Sequence, residues 1–138
     1  MITEFIKYEQ ALALKELGFD EPCMGYYMGK DKEVYISNEE IQAPFEPSLD
    51  SKVMFRAPLY NQCFRWFRKK YNLFHNIWNY THGEPTDLIP NGFTFSIDED
   101  WITIIGKNDL GYFEKYYNTY EETEEACINK LIEIVKNK

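Results

Sequence analysis

Tyr60, Cys63, Phe64, Phe67 and Tyr71 fall at i, i+3, i+4, i+7 and i+11 along the chain. That spacing puts them on one face of an α-helix, and no other stripe in the sequence is as regular. Pro58 has its φ preset and no N–H to leave unpaired, so it suits a first helical position. A helix is therefore predicted over Pro58–Tyr71. A second stripe, Cys127, Ile128, Leu131, Ile134 and Val135, predicts another near the end of the chain. Thr119 and Glu122 form a T-x-x-E capping box that opens it. Glu121, Glu122, Glu124 and Glu125 load its positive end, while Lys136 and Lys138 load its negative end. The first helix is predicted over Thr3–Leu17, built largely from good helix formers and stopped by Gly18. Its apolar residues follow two lines, Phe5/Tyr8/Leu12 and Ile6/Ala13/Leu17, so it is expected to touch two neighbours.

The remaining apolar runs are short and rich in Tyr, Val, Ile and Phe, as strands are. Cys23–Gly29 and Glu33–Ile36 predict a hairpin around the polar Lys30-Asp31-Lys32, with Gly25 marking a bulge or a close backbone approach. Ser37–Arg56, with Pro44 and Pro47, has no period and reads as a long loop packing Ile41, Phe45 and Leu49 onto the core. Ile77–Thr81, Phe93–Ile97 and Trp101–Gly106 are strand candidates. Gly83-Glu84-Pro85 breaks the chain before the last two, which turn at Asp98-Glu99-Asp100. The order α-ββ-α-βββ-α predicts one α+β domain over residues 1–138, a small antiparallel sheet with three helices on one side.

Charge changes this picture more than composition does. The net charge is −8, from 15 basic and 23 acidic residues. Ser51–Gly83 contains no Asp or Glu, while Lys52, Arg56, Arg65, Arg68, Lys69 and Lys70 give it six positive charges. The rest of the chain therefore carries −14. Asn61, Gln62, Arg65, Arg68 and Lys69 share the helix face opposite the Tyr60/Phe64/Phe67 stripe. Such a face suits a polyanion or an acidic protein surface, and Arg65 and Arg68 at i, i+3 can grip successive anionic groups. The candidate binding residues are Arg65, Arg68, Lys69, Arg56 and Trp66. Trp66, Phe74, Trp78 and Tyr80 offer rings for stacking bases. The bland alternative is a solvated basic face that only offsets the acidic remainder.

Aromatic residues are 17% of the chain, and their hydroxyl and indole groups need partners or a surface, which favours binding. No catalytic residue is assigned. No G-x-S-x-G, Walker or G-x-G-x-x-G pattern occurs, so no cofactor is implied. His75 and His82 are seven positions apart with no cysteine close by, so no metal site is assigned. Cys23, Cys63 and Cys127 are odd in number and set in apolar stretches, which predicts reduced core thiols. The N-terminus has no signal-peptide pattern, and no apolar run approaches the ~18 residues of a membrane span. A cytoplasmic chain without a membrane partner is expected.

Three phrases carry a resemblance: Tyr8-Glu9-Gln10-Ala11-Leu12-Ala13-Leu14-Lys15-Glu16-Leu17-Gly18-Phe19; Ala57-Pro58-Leu59-Tyr60 running into Phe64-Arg65-Trp66-Phe67-Arg68; and Asn118-Thr119-Tyr120-Glu121-Glu122 running to Leu131-Ile132-Glu133-Ile134-Val135. The chain resembles a family of small proteins of phages, prophages and mobile elements of Bacteroidetes-type bacteria. No activity is assigned to that family, so the resemblance implies a setting and carries over no functional residue. The expected function is that of a non-catalytic accessory protein binding a protein partner or itself. The alternative is a nucleic-acid-binding module using residues 51–83, against which the charge of −8 stands. A third reading is an enzyme with scattered catalytic residues.

Overall fold

A computed structural model describes residues 4–41, 54–81, 90–108, 111, 113 and 115–138. Phe45, Leu49, Lys52 and His82 lie outside the described residues, as do residues 1–3 and the side chain of Ile41. The structure is α+β, with helices and strand groups in the expected order. Its strands form two three-stranded antiparallel sheets, in two compact units of residues 1–63 and 64–138.

The first unit holds α1 (Tyr8–Glu16), β1 (Cys23–Met28), β2 (Tyr35–Ile41) and β3 (Met54–Ala57). β1 is the central strand, in the order β2-β1-β3. The predicted hairpin is present, but the long loop over Ser37–Arg56 is corrected at both ends. Residues 37–41 extend β2, and Met54–Ala57 pair with the other edge of β1. Four residues are too few to show an alternation, so β3 has no periodic signal of its own. Gly25 does what its position implied: the β1–β2 register shifts beside it. A Cβ there would stand 2.5 Å from Phe5 Cε1 and 2.6 Å from the Ala57 carbonyl oxygen.

α1 is shorter than Thr3–Leu17. Phe5 forms an isolated bridge with Leu59, and the Ile6 N–H donates to the Pro58 carbonyl at 3.0 Å, so this stretch is extended. Neither predicted apolar line is the buried one. Gln10, Ala11 and Leu14 face inward, whereas Leu12 is exposed. Gln10 can be buried because its Oε1 accepts from the Lys7 N–H at 3.1 Å and the Tyr60 hydroxyl at 3.5 Å. The aromatic residues pack in the same way. Tyr8, Tyr27 and Phe55 meet at 5.3–5.8 Å between ring centroids, and both hydroxyls are satisfied, Tyr8 on Gly29 O and Tyr27 on Ile6 O.

α2 (Tyr60–Tyr71) begins two residues after Pro58, because Pro58 and Leu59 are engaged by the extended Phe5–Ile6 segment. Tyr60, Cys63, Phe64 and Phe67 are buried as the stripe predicts, and Tyr71 is half-buried. Asn72 then takes a positive φ of 57°, a turn-ending geometry that asparagine tolerates. β4 (Leu73–Asn79) therefore starts at once, earlier than the predicted Ile77.

The second sheet runs β4-β5-β6, with β5 (Phe93–Glu99) in the middle and β6 (Ile102–Ile105) at one edge. Cross-strand partners share a face, so Leu73/Glu99, His75/Ile97, Ile77/Phe95 and Asn79/Phe93 point one way. That face meets α3 (Tyr120–Lys136), whose Tyr120 ring stands edge-on to Phe93 at 5.9 Å. Thr119 caps α3 by accepting from the Glu122 N–H at 3.1 Å. Cys127, Ile128 and Leu131 are buried, but Ile134 and Val135 only half, because the buried face turns instead through Thr123 and Ile132. All three cysteines are buried and none is joined in a disulfide, and burial pushes the Cys127 thiol well above its ordinary range.

Candidate functional site

Three of the five residues singled out from the sequence share one face of α2. Arg65 and Lys69 are exposed and Arg68 is half-buried, at i, i+4 and i+3. None of the three forms an ion pair among the described residues. The other two are corrected. Trp66 is only 4% exposed, because the buried face of α2 is wider than the five-residue stripe. Its ring packs edge-on against Phe67 at 5.1 Å and Tyr71 at 5.4 Å, with the Lys70 ammonium 5.0 Å from its centroid. It is not available for stacking a base. Arg56 is 8% exposed, in β3 opposite Tyr26 of β1. It lines a groove of about 240 Å³ with Lys15, Phe19 and Asp20, in the first unit, while Arg65, Arg68 and Lys69 belong to the second.

The outward face of the second sheet keeps two of the four rings open. Phe74 and Trp78 are exposed on β4, with Asn76 between them. Trp78 is anchored, its Nε1–H donating to Ser96 Oγ at 3.2 Å and Lys107 lying 5.5 Å from its ring. Tyr80 is half-buried in a cluster with Phe113 and Tyr116 at 5.9–6.4 Å.

The β5–β6 hairpin holds a feature that the sequence reading missed. Its two turn residues are Asp100 and Trp101, at φ 50° and 69°, not Asp98-Glu99-Asp100. Two central residues at positive φ are the mark of a type I′ turn, which normally selects Asn and Gly. Asn72 Nδ2 donates to Asp100 Oδ1 at 2.6 Å and so helps hold this turn. Trp101 is then fully exposed, at 102%, and next to it Ile102 is 65% exposed on the edge strand. A two-residue turn without glycine leaves no compositional mark, so Trp101 reads from sequence as the start of a strand.

His75 is the one histidine among the described residues, and it lies on the covered face. Its ring stacks on Phe64 with centroids 3.6 Å apart and planes 8° apart, and Nδ1 is buried without a hydrogen-bond partner among the described residues. Burial, and then the nearby Arg68 charge, push its pKa down to about 4. The unfolded chain therefore takes up this proton below about pH 6.5, while the folded chain resists it until about pH 4. Stability is fully present above pH 6.5 and is lost as the pH falls through that window. The expected loss is about 2–3 kcal/mol, trimmed by the water that reaches a half-buried ring. Urea midpoints between pH 7 and pH 4 should fall for the wild type and stay flatter for His75→Phe. Parallel slopes would show that carboxylates carry the whole effect.

Among the described residues no three His, Cys, Asp or Glu side chains gather closely enough to share a metal ion. Among them, too, no helix is long and apolar enough to cross a membrane. No protein-family model matches the chain, and neither a curated protein nor a solved structure is significantly similar to it.

Proposed function

We propose that this chain is a non-catalytic accessory protein of a phage or mobile element, acting in the bacterial cytoplasm by binding a protein partner at the tip of the β5–β6 hairpin. One observation carries the reading: Trp101 is wholly exposed, in a backbone conformation that disfavours a large side chain. Positive φ costs an L-residue about 1–2 kcal/mol, and an indole in water returns nothing to the fold. Binding hot spots are enriched in tryptophan because it buries a large rigid surface at little entropic cost. Ile102 beside it, on the edge strand β6, extends the apolar surface. The three helical phrases quoted above support the phage setting.

The test is Trp101→Gly. Glycine takes φ 69° freely, so thermal stability should hold or rise. A host protein retained by the immobilised wild type should be lost from the variant, and the pair reconstituted from pure components should lose about tenfold in affinity or more. Equal affinity of wild type and variant for that partner would overturn the reading.

A second reading rests on Arg65, Arg68 and Lys69 of α2, which form no ion pair among the described residues, with Phe74 and Trp78 open nearby in sequence. It makes the second unit a single-stranded nucleic-acid binder. The triple reversal Arg65→Glu, Arg68→Glu and Lys69→Glu should then leave folding intact and abolish salt-sensitive binding of an oligonucleotide. Wild-type chain that binds no oligonucleotide at low salt would remove this reading.

A further inference from the structure

A second surface, independent of the hairpin tip, has a different chemistry. In the second unit a groove of about 370 Å³ opens where β6 ends, between Ile104–Lys107 and the returning segment Lys115–Tyr117, with Lys130 of α3 also lining it. That volume falls within the ~300–1,000 Å³ usual for small-molecule sites. Among the described residues three lysines line it and no Asp or Glu does, in a chain with 23 acidic residues. Chance charge placement on such a chain favours the opposite sign.

The walls are built, not merely exposed. Phe95 and Tyr117 stack at 6.2 Å with planes 26° apart, and both line the groove beside Ile104 and Ile105. Tyr117 is pinned to β5 by reciprocal backbone bonds with Phe93 of 2.6 and 2.8 Å. The buried Thr94 hydroxyl donates to the Lys115 carbonyl at 2.7 Å, fixing the segment that carries the charge. The Lys115 ammonium sits 5.3 Å from the Tyr117 ring centroid and forms no ion pair among the described residues. Lys130 gives one bond to Glu133 at 3.0 Å, which leaves donors for a second acceptor. The Lys107 ammonium lies instead over Trp78 and Phe113, so Lys115 and Lys130 carry the charge of the site.

An aromatic floor with ammonium groups beside it matches a ligand that is flat and apolar at one end and anionic at the other. We infer that this groove binds a small planar aromatic anion, its ring against Phe95 and Tyr117 and its phosphate or carboxylate on Lys115 and Lys130. The ring supplies stacking and apolar contact, while each lysine supplies a charge-assisted hydrogen bond as a compact point charge.

Calorimetric titration of the full chain with phenyl phosphate, benzoate and inorganic phosphate tests this. Phenyl phosphate should bind about tenfold more tightly than inorganic phosphate, the scale of ring contacts worth over 1 kcal/mol. Lys115→Gln and Lys130→Gln should each weaken it about tenfold, as expected for one charge-assisted bond. Tyr117→Leu should narrow the gap between phenyl phosphate and inorganic phosphate. Benzoate binding as tightly as phenyl phosphate would identify the anion as a carboxylate, and weaker binding would identify it as a phosphate. Trp101→Gly should bind all three as the wild type does, which separates this site from the hairpin tip. Equal affinity for phenyl phosphate and inorganic phosphate, unchanged binding in a Lys115→Gln protein of wild-type thermal midpoint, or no heat at millimolar ligand would each overturn the inference.

Discussion

Replacing Phe67 by alanine should lower the unfolding free energy by about 3–5 kcal/mol, the usual cost of emptying a fully buried aromatic site. Phe67 has no exposed surface and lies in the middle of α2, against Trp66 at 5.1 Å and Tyr71 at 6.1 Å. Both neighbours are large and rigid, so the site cannot collapse cheaply around the missing ring, and the cavity term should be near its upper range. Arg65→Ala, two positions away on the exposed face, is the internal control and should change stability by under about 0.5 kcal/mol. Urea unfolding of the two variants measures the contrast. A Phe67→Ala loss as small as that of Arg65→Ala would mean that the assigned face of α2 is wrong.

That contrast also marks what was legible in the sequence. α2 and α3 carry a helical period that only one face can satisfy, and that period places Phe64, Phe67, Cys127 and Leu131 inside, where they are buried. α1 does not: its apolar residues spread around the axis, and the face that faces inward was decided by Gln10, a polar residue that the core satisfies with hydrogen bonds. No rule of periodicity would place a glutamine inside. β3 is four residues long, and its pairing partner lies about thirty residues upstream, at Gly25–Met28. Strand pairing over such a separation is a tertiary fact, with no local trace in the chain.

The candidate surfaces divide along the same line. A run of residues without Asp or Glu is a linear property, and it pointed directly to Arg65, Arg68 and Lys69. Burial is not linear, so Arg56 and Trp66 carry the same linear signal although their strand and helix turn them inward. The lysine groove shows the converse. Lys107, Lys115 and Lys130 lie eight and fifteen positions apart, and only the end of β6 and the returning chain bring them to one place. Trp101 fails for a third reason. Its turn uses positive φ without glycine, so the residue that marks the hairpin tip looks like the first residue of a strand.

Gly25→Ala should be the most damaging single-methyl addition in the first unit, costing at least about 2 kcal/mol, in the upper part of the range for overpacking. The reason is space. A methyl at Gly25 would approach Phe5 Cε1 to 2.5 Å and the carbonyl oxygen of Ala57, its partner on β3, to 2.6 Å. Neither neighbour moves freely. Phe5 is buried and held by its bridge to Leu59, and Ala57 belongs to the shortest strand of its sheet, where a lost pairing is not made up elsewhere. The two clashes can be told apart by a double-mutant cycle. Phe5→Leu removes the ring but leaves the carbonyl, so in the Gly25→Ala background it should cost less than it does alone, by about 1 kcal/mol of coupling. Rescue should stay incomplete, because the Ala57 oxygen still stands in the way. Thermal or urea unfolding of the four proteins gives the result. If Gly25→Ala unfolds within about 0.5 kcal/mol of the wild type, the backbone of β1 does not need this glycine, and the close approach of Phe5 to the sheet is not a constraint on the fold.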